Sequence, residues 1–295
     1  MYLSKAIISL LKNYSIRNYS IYTLEGYARD LQRFMRFTGD IEVKKITIAN
    51  INEFRLVRKK EGLKNVTLNR EAAAIRSLAS FCEKNAITFI NPHQIDLGRR
   101  ENRTIVIPTT QEIRKVIDAV DFRTKKGLRD RAILELLACS GIRIGELVRL
   151  DRNSIDFGDL QFTVLGKGKK HRIAFLTQQA AVWIRLWLKS RDDEFPALFI
   201  SLSDNFRNNC KNENRGRLTP VSIQAIVREN AQKAGIKKKV TTHTFRHFWA
   251  TSLLQRGADI KSVQELLGHS SLATTEIYLH LSSNHLKQTY EKCFS

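Results

Sequence analysis

The C-terminal third of the chain carries side chains that can act together on a phosphate. In order along the sequence these are His243, Arg246, His247, His269 and Tyr278. An arginine fork matches two phosphate oxygens, a histidine moves protons near neutral pH, and a tyrosine hydroxyl can act as a covalent nucleophile. This combination predicts that a phosphodiester is broken through a tyrosyl phosphate bond.

Two cations upstream extend the set. Arg143 follows the break at Gly141 and offers a second fork, which would help to stabilise a pentavalent phosphorane without a metal. Lys167 lies in a Gly-Lys-Gly turn and is long enough to protonate a departing 5′ oxygen. His243 and Arg246 are three residues apart, so on a helix they share a face, and we expect both to reach one phosphate at a domain surface.

Taken singly, each of these residues also has an ordinary structural interpretation. Tyr278 would pack in a core, His269 would cap a helix, and Lys167 would sit in a solvated hairpin. Arg143 and Glu146, at three-residue spacing, would form a surface ion pair worth under about 1 kcal/mol. Only the joint pattern favours chemistry.

The elements that must position these residues begin with a helical N-terminal region. From Leu3 to Asn85 apolar residues recur at helical spacing in four runs, which predicts a small all-α bundle. Ser20 and Thr23 are candidate helix caps, and Gly39 and Gly62 are candidate helix stops.

A break in this periodicity predicts two domains. Between the helical region and the rest of the chain the sequence contains Pro92, Pro108 and a charged, arginine-rich stretch, which is typical of a linker. The predicted boundaries are residues 1–95 for the helical domain, 96–106 for the linker and 107–295 for the second domain.

The second domain mixes helices with a small amount of β structure. Residues 160–165 and 172–176 are β-branched or aromatic in part and flank a lysine-bearing turn, which predicts a β-hairpin. Helices are predicted over 110–120, 128–137, a short stretch ending at 150, 178–190, 221–234, 244–256, 260–267 and 273–281, with a loop over 201–218. The fold class is therefore mainly α with a small β-hairpin or sheet.

The charge of the chain indicates a polyanionic partner. It has 50 Lys and Arg against 29 Asp and Glu, a net charge of +21, and a pI near 10.1. Basic residues exceed acidic ones in both predicted domains. A generally basic cytoplasmic protein or an RNA-binding scaffold would have the same balance.

Other sequence features predict a reduced, cytoplasmic protein without cofactors. Cys82, Cys139, Cys210 and Cys293 form no Cys-x-x-Cys pair. No cleavable leader is evident, and no apolar run reaches the roughly 18 residues needed to span a bilayer. Neither a nucleotide-binding loop nor a carboxylate cluster typical of a two-metal nuclease is present, so we expect no cofactor and no metal.

Five ordered motifs together resemble the tyrosine recombinase, or phage integrase, family, especially its Xer-like members. The motifs are Ser-Gly-Ile-Arg-Ile-Gly-Glu-Leu, Gly-Lys-Gly-Lys-Lys, His-Thr-Phe-Arg-His, Leu-Leu-Gly-His-Ser-Ser and Thr-Thr-Glu-Ile-Tyr. The resemblance covers nearly the whole chain. It implies an all-α, SAM-like core-binding domain followed by a mixed α+β catalytic domain, with both basic domains closing around duplex DNA.

The resemblance also implies roles for named residues. The implied catalytic set is Arg143, Lys167, His243, Arg246, His269 and Tyr278. The two arginines would clamp the scissile phosphate, the lysine would be the general acid, and the tyrosine would form a 3′-phosphotyrosyl intermediate. His243 would assist proton transfer, His269 would hydrogen-bond the phosphate, and Glu146 would support its neighbours. Gly145 and Phe245 depart from a common serine and a frequent leucine without removing a functional group.

The implied activity is site-specific recombination of duplex DNA through a Holliday junction, by four protomers on two sites. A homotetramer and a heterotetramer with a paralogue both remain open, as does dependence on a DNA translocase. The terminal segment 282–295 resembles a helix that docks on a neighbouring subunit, and the early start of the helical region favours the simple Xer-like type.

Several functions compete with the preferred one. Xer-like resolution of chromosome or plasmid dimers, linked to chromosome partition and cell division, is the preferred role, and an integrase of a phage, plasmid or transposon is the alternative. A type IB topoisomerase uses a similar residue set, but the Leu-Gly-His-Ser-Ser motif and the chain's compact size argue against it. A non-catalytic architectural DNA-binding protein would have no need of Tyr278 with both arginines.

Overall fold

The chain forms two compact units, Met1–Thr104 and Ile105–Ser295. The structure, a computed structural model, describes residues 1–98, 106–166, 171–203 and 216–268. The predicted helix at 273–281 and the terminal segment 282–295 lie outside the described residues.

The first unit is the predicted helical bundle. Its helices are α1 (Leu3–Ile16), α2 (Ile21–Thr38), α3 (Ile48–Lys60) and α4 (Asn65–Lys84). The Ser20 hydroxyl accepts a hydrogen bond from the Thr23 amide and so caps the start of α2, and Gly39 follows the last residue of that helix.

The apolar stripes of these helices meet in one core. Leu10, Leu31, Phe34, Ile51 and Leu78 are almost completely buried there. Burial of a side chain of this size is worth about 1.5–3 kcal/mol. The core therefore accounts for the regular apolar spacing that the sequence shows from Leu3 onward.

The second unit is built around one buried helix. Its helices are α5 (Thr110–Asp118), α6 (Lys125–Ser140), α7 (Ile144–Leu147), α8 (Gln178–Lys189), α9 (Pro220–Lys233), α10 (Thr242–Gln255) and α11 (Ile260–Leu267). Helix α6 is buried on nearly every side, as expected of a helix at the centre of a core, and it packs against α8 and α10. A smaller apolar cluster joins α10 to α11.

A three-stranded antiparallel sheet completes the second unit. Strands β1 (Ile155–Asp156), β2 (Gln161–Leu165) and β3 (His171–Phe175) follow one another in that order. The predicted hairpin is confirmed, with Val164 opposite Arg172. Strand β1 was not predicted because two residues are too few to show an alternating pattern.

The predicted class, mainly helical with a small sheet, is confirmed. The predicted helices of the second unit that fall on described residues agree with the observed ones apart from shifts at their ends. Among the described residues, no helix combines the length and apolar character needed to cross a membrane.

Candidate active site

Arg143 and Glu146 lie where the chain leaves α6 and enters α7. One carboxylate oxygen of Glu146 accepts from the Arg143 amide at 2.9 Å, and the other accepts from Arg143 Nη1 at 3.0 Å. Glu146 is only 6% exposed. The interpretation of this pair as a surface ion pair is therefore wrong: the carboxylate is buried and it also caps the start of α7.

Gly141 makes the sharp exit from α6 possible. Its φ is +58°, in the left-handed region that favours glycine, and a Cβ atom there would lie 2.5 Å from the Trp249 ring. Trp249 Nε1 also donates to the Cys139 carbonyl oxygen at 2.7 Å. The end of α6, and with it Arg143, is thus fixed against α10.

Arg246 is buried on α10, only 4% exposed, although we expected it at a domain surface. Its Nη1 donates to the Gly141 carbonyl at 2.6 Å and its Nη2 to the Leu267 carbonyl at 2.6 Å. Carbonyls at a helix end have no partner within the helix. Arg246 donates to one such carbonyl at the end of α6 and to another at the end of α11, which explains why its side chain is buried.

Three arginines meet at the end of α11. The consecutive carbonyls of its last turn accept from three different guanidinium groups: Leu266 from Arg172 at 2.7 Å, Leu267 from Arg246 at 2.6 Å, and Gly268 from Arg143 at 3.3 Å. The partial negative charge at a helix C-terminus favours cations there. We call this group of three side chains the arginine cluster. The three carbonyls that hold it belong to the residues directly before His269 in the sequence.

Gly268 allows this close approach. Its φ is +62°, and a Cβ atom there would lie 3.0 Å from Arg172 Cδ and 3.8 Å from Arg143 Nη1. Any other residue would be strained in its backbone and would press on the arginine cluster. The glycine of the Leu-Gly-His sequence therefore has a direct steric reason.

His243 lies exposed in the first turn of α10, near two of these arginines. Partial desolvation lowers its pKa, and so do the positive charges of Arg246 and Arg143. Because the ring remains accessible to solvent, desolvation is incomplete and the guanidinium charges matter. The pKa of His247 is lowered by burial and then by His243 and Arg246. His243 is therefore neutral at pH 7 and can accept a proton.

The Glu146 carboxylate stays ionised within the cluster. Burial alone would raise its pKa, but the charge of Arg172, together with the amide and guanidinium of Arg143, lowers the pKa below its ordinary value. Arg172 Nη2 donates to Glu146 Oε2 at 2.8 Å. The carboxylate thus orients two arginines while cancelling only one of their charges.

The predicted site residues divide into two groups. Arg143, Glu146, His243 and Arg246 are described, and hydrogen bonds and charge interactions connect them. Lys167, His269 and Tyr278 lie outside the described residues. Within the described parts of the chain, no group of three or more His, Cys, Asp or Glu side chains could hold a metal ion.

Sequence reasoning did not single out Arg172. A signal was present: Arg172 alternates with Ala174 on β3 and with Leu176 just after it, so the pattern places an arginine on the strand face that points into the core. An inward arginine requires buried acceptors. Those acceptors come from α7 and α11, and their proximity cannot be read from the sequence.

Comparison with known proteins connects both units to one family. The Phage integrase family matches residues 108–285, and the family described as Phage integrase, N-terminal SAM-like domain, matches residues 9–85. Tyrosine recombinase XerC from Chlamydia caviae is 32% identical, with 97% of this chain and 96% of the relative covered. Tyrosine recombinase XerD from Chlorobaculum tepidum is 33% identical, covering 93% and 91%.

Solved structures agree with this assignment. The XerA recombinase shares 26% identity over 98% of both chains, with a TM-score of 0.54. The XerH recombinase bound to a palindromic difH substrate has a TM-score of 0.74 at 24% identity, over 95% of this chain and 82% of that one, and at this identity the likeness concerns the fold. The chain therefore belongs to the phage integrase family and is a site-specific tyrosine recombinase of the Xer type.

Proposed function

We propose that this recombinase cuts and rejoins duplex DNA through a covalent 3′-phosphotyrosyl bond at Tyr278. The observation that carries the proposal is the arginine cluster, which gathers Arg143 and Arg246 at the end of α11, directly before His269. Oriented guanidinium groups are the donors best suited to a phosphate whose negative charge grows in the transition state.

The proposal assigns a residue to each bond that forms or breaks. The Tyr278 oxygen attacks phosphorus and gives up its proton, which the neutral His243 helps to remove. The bond from phosphorus to the 5′ oxygen breaks, and Lys167 protonates that oxygen. Arg143 and Arg246 bind the non-bridging oxygens, and His269 donates a further hydrogen bond. No cofactor takes part in these steps.

Glu146 has a supporting role in the proposed mechanism. Its buried carboxylate accepts from Arg143 and Arg172, so it fixes the direction of the first clamp arginine. Because bond formation to phosphorus depends on geometry, a fixed direction is worth more than an additional contact.

The proposed partner is a specific site in double-stranded DNA. The high net charge of +21 supports this, as does the XerH relative, which was solved with its difH DNA substrate. Residues 1–95 and 107–295, joined by the linker at 96–106, would both contact the duplex. Four protomers, identical or shared with a paralogue, would exchange strands on two sites through a Holliday junction in the cytoplasm, at the nucleoid.

The proposed biological role is resolution of chromosome or plasmid dimers, in which a DNA translocase could take part. XerC and XerD relatives across nearly the whole chain support it. Integration or excision of a phage, plasmid or transposon is the second candidate, since the chain also resembles the Tn1549 transposon integrase in fold, with a TM-score of 0.77 at 16% identity over the full length of both chains.

Covalent capture tests the chemistry and identifies the DNA site in one experiment. A library of random duplexes, each with one nick so that a short product diffuses away, is incubated with wild type and with Tyr278→Phe in EDTA. We expect wild type alone to retain DNA through denaturation, and sequencing of that DNA gives the recombination site. Tight binding by both proteins without any covalent product would contradict the proposal and favour an architectural role.

A further inference from the structure

We infer that Arg172 is a positioning residue of this active site, which aligns the hairpin next to Lys167, the proposed general acid, with the arginine cluster. The inference rests on the proposed function. It assigns a task to a residue outside the six proposed catalytic positions. Arg172 acts through its neighbours and does not need to touch DNA.

The contacts of Arg172 join three separate parts of the second unit. Its backbone belongs to β3, its Nη2 donates to Glu146 Oε2 at 2.8 Å, and its Nη1 donates to the Leu266 carbonyl at 2.7 Å. The side chain is only 11% exposed. One planar group thus connects the hairpin, the start of α7 and the end of α11.

The geometry restricts this position to an arginine. The two acceptors lie on different elements, and a planar fork reaches both at once, whereas a lysine ammonium is a single point of charge. Arg172 Cδ also lies where only a glycine at 268 leaves room. The hydrogen bonds of the fork and the close packing against Gly268 together indicate that Arg172 sets the position of β3 relative to α11.

The sequence separation links this position to the chemistry. Arg172 is the second residue of β3 and lies opposite Val164, so it is close to the end of the hairpin at which residues 167–170, with Lys167, connect the two strands in the sequence. Loss of the fork would release this end of the hairpin from α7 and α11. A displacement of about 1 Å at a reacting group can cost about 100-fold in rate.

A matched arginine separates positioning from simple stabilisation. Arg129 is also buried, with its Nη2 on the Asp130 carboxylate at 2.7 Å and its Nη1 on the Ile200 carbonyl at 3.0 Å. It has the same kinds of partner as Arg172, a carboxylate and a backbone carbonyl. None of its contacts involves Glu146, the hairpin or the end of α11.

The experiment measures single-turnover cleavage of the captured site by wild type, Arg172→Gln, Arg172→Lys and Arg129→Gln, with melting temperatures recorded for each. Every variant is also given a duplex with a 5′-phosphorothiolate at the scissile bond. Its sulfur leaves as a thiolate when the bond to phosphorus breaks, so it does not need a proton from Lys167.

We expect Arg172→Gln to cleave ordinary DNA about 100-fold more slowly and the phosphorothiolate at close to the wild-type rate. Arg172→Lys should show the same selective rescue with a smaller loss. Arg129→Gln should show no selective rescue, whatever its melting temperature. If Arg172→Gln is unfolded at the assay temperature, rescue of Arg172→Lys by the phosphorothiolate tests the inference instead.

Two outcomes would overturn the inference. One is a wild-type rate for both Arg172 variants on ordinary DNA. The other is a loss in the Arg172 variants that the phosphorothiolate does not relieve, whatever the rate of Arg129→Gln, because the defect then does not lie in protonation by Lys167. Failure of wild type to form any adduct would overturn the proposed function itself. The wild-type reaction therefore distinguishes failure of the proposed function from failure of this inference.

Discussion

The two units of this recombinase each group three arginines around buried acceptors, but they balance the charge differently. In the first unit Asp30 and Glu71 are almost fully buried. Arg33 contacts both carboxylates, Arg70 pairs with Asp30, and Arg58 pairs with Glu71. Arg58 also pairs with Glu61. Three guanidinium groups there face three carboxylates.

In the second unit the arginine cluster has a different set of partners. Its guanidinium groups donate to the Glu146 carboxylate and to backbone carbonyls at the ends of α6 and α11. A carbonyl dipole orients a guanidinium group without cancelling its full charge. The first arrangement is suited to holding a bundle together, and we expect the second to present positive charge to a phosphate.

Substitution of one arginine in each cluster gives the largest expected contrast. Arg246→Gln should slow covalent capture of the site by at least about 1000-fold, because it removes a clamp donor and leaves two carbonyls without their partner. Arg70→Gln, whose side chain is 53% exposed, should change the rate less than about twofold at saturating DNA. Comparable losses of capture rate in both variants would show that the two clusters do not differ in their contribution to cleavage.

Glycine substitutions test the steric basis of the arginine cluster. Gly268→Ala and Gly235→Ala both place alanine at positive φ, +62° and +69°, which costs about 1–2 kcal/mol. Only Gly268→Ala brings Cβ to 3.0 Å from Arg172, since nothing lies within 4 Å at Gly235. We expect a tenfold or greater loss of cleavage for Gly268→Ala alone, on the order of 1.4 kcal/mol in the barrier. Equal rates would remove the steric argument.

Removal of one carboxylate from each cluster separates stability from activity. Glu71→Gln and Glu146→Gln should both lower the free energy of unfolding, because each leaves buried arginine charge without its partner. Only Glu146→Gln should also slow cleavage, about tenfold, through loss of the direction it gives Arg143. Unfolding curves and single-turnover rates on the same samples decide this.

Glu146 also makes a signed prediction about pH. Its pKa is lowered in the folded protein, so it stabilises the fold above the ordinary glutamate pKa near 4.3, and this contribution is lost as pH falls through the lowered value. The melting temperature of Glu146→Gln should therefore approach that of wild type below pH 4. A constant difference from pH 7 to pH 3 would contradict the assignment.

The smallest expected effect concerns His243. Because its pKa is lowered, cleavage should change less than about twofold between pH 7.5 and 6.5 and should fall only at lower pH, where the imidazole gains a proton. His243→Asn should have a lower rate without this acid limb. A fall centred at or above pH 6.5 in wild type would show that desolvation and the neighbouring guanidinium charges do not lower the pKa of this ring.

Much of the fold was predictable because local patterns determine it. The apolar stripes of α2 and α4 and the two strands of the hairpin are properties of short segments. Strand β1 was missed because it exists only through pairing with β2. The end of α6 at Gly141 was predicted, but the Trp249 ring that requires a glycine there comes from α10.

The sequence by itself determined the identities of the candidate chemical groups and their order, since Arg143, His243 and Arg246 were recognisable from residue type and spacing alone. Only the tertiary structure decided how those groups are held. The acceptors that fix the arginine cluster are backbone carbonyls at the ends of α6 and α11. Every residue has a carbonyl, so no residue type marks the ones that matter, and their position depends on the packing of distant helices.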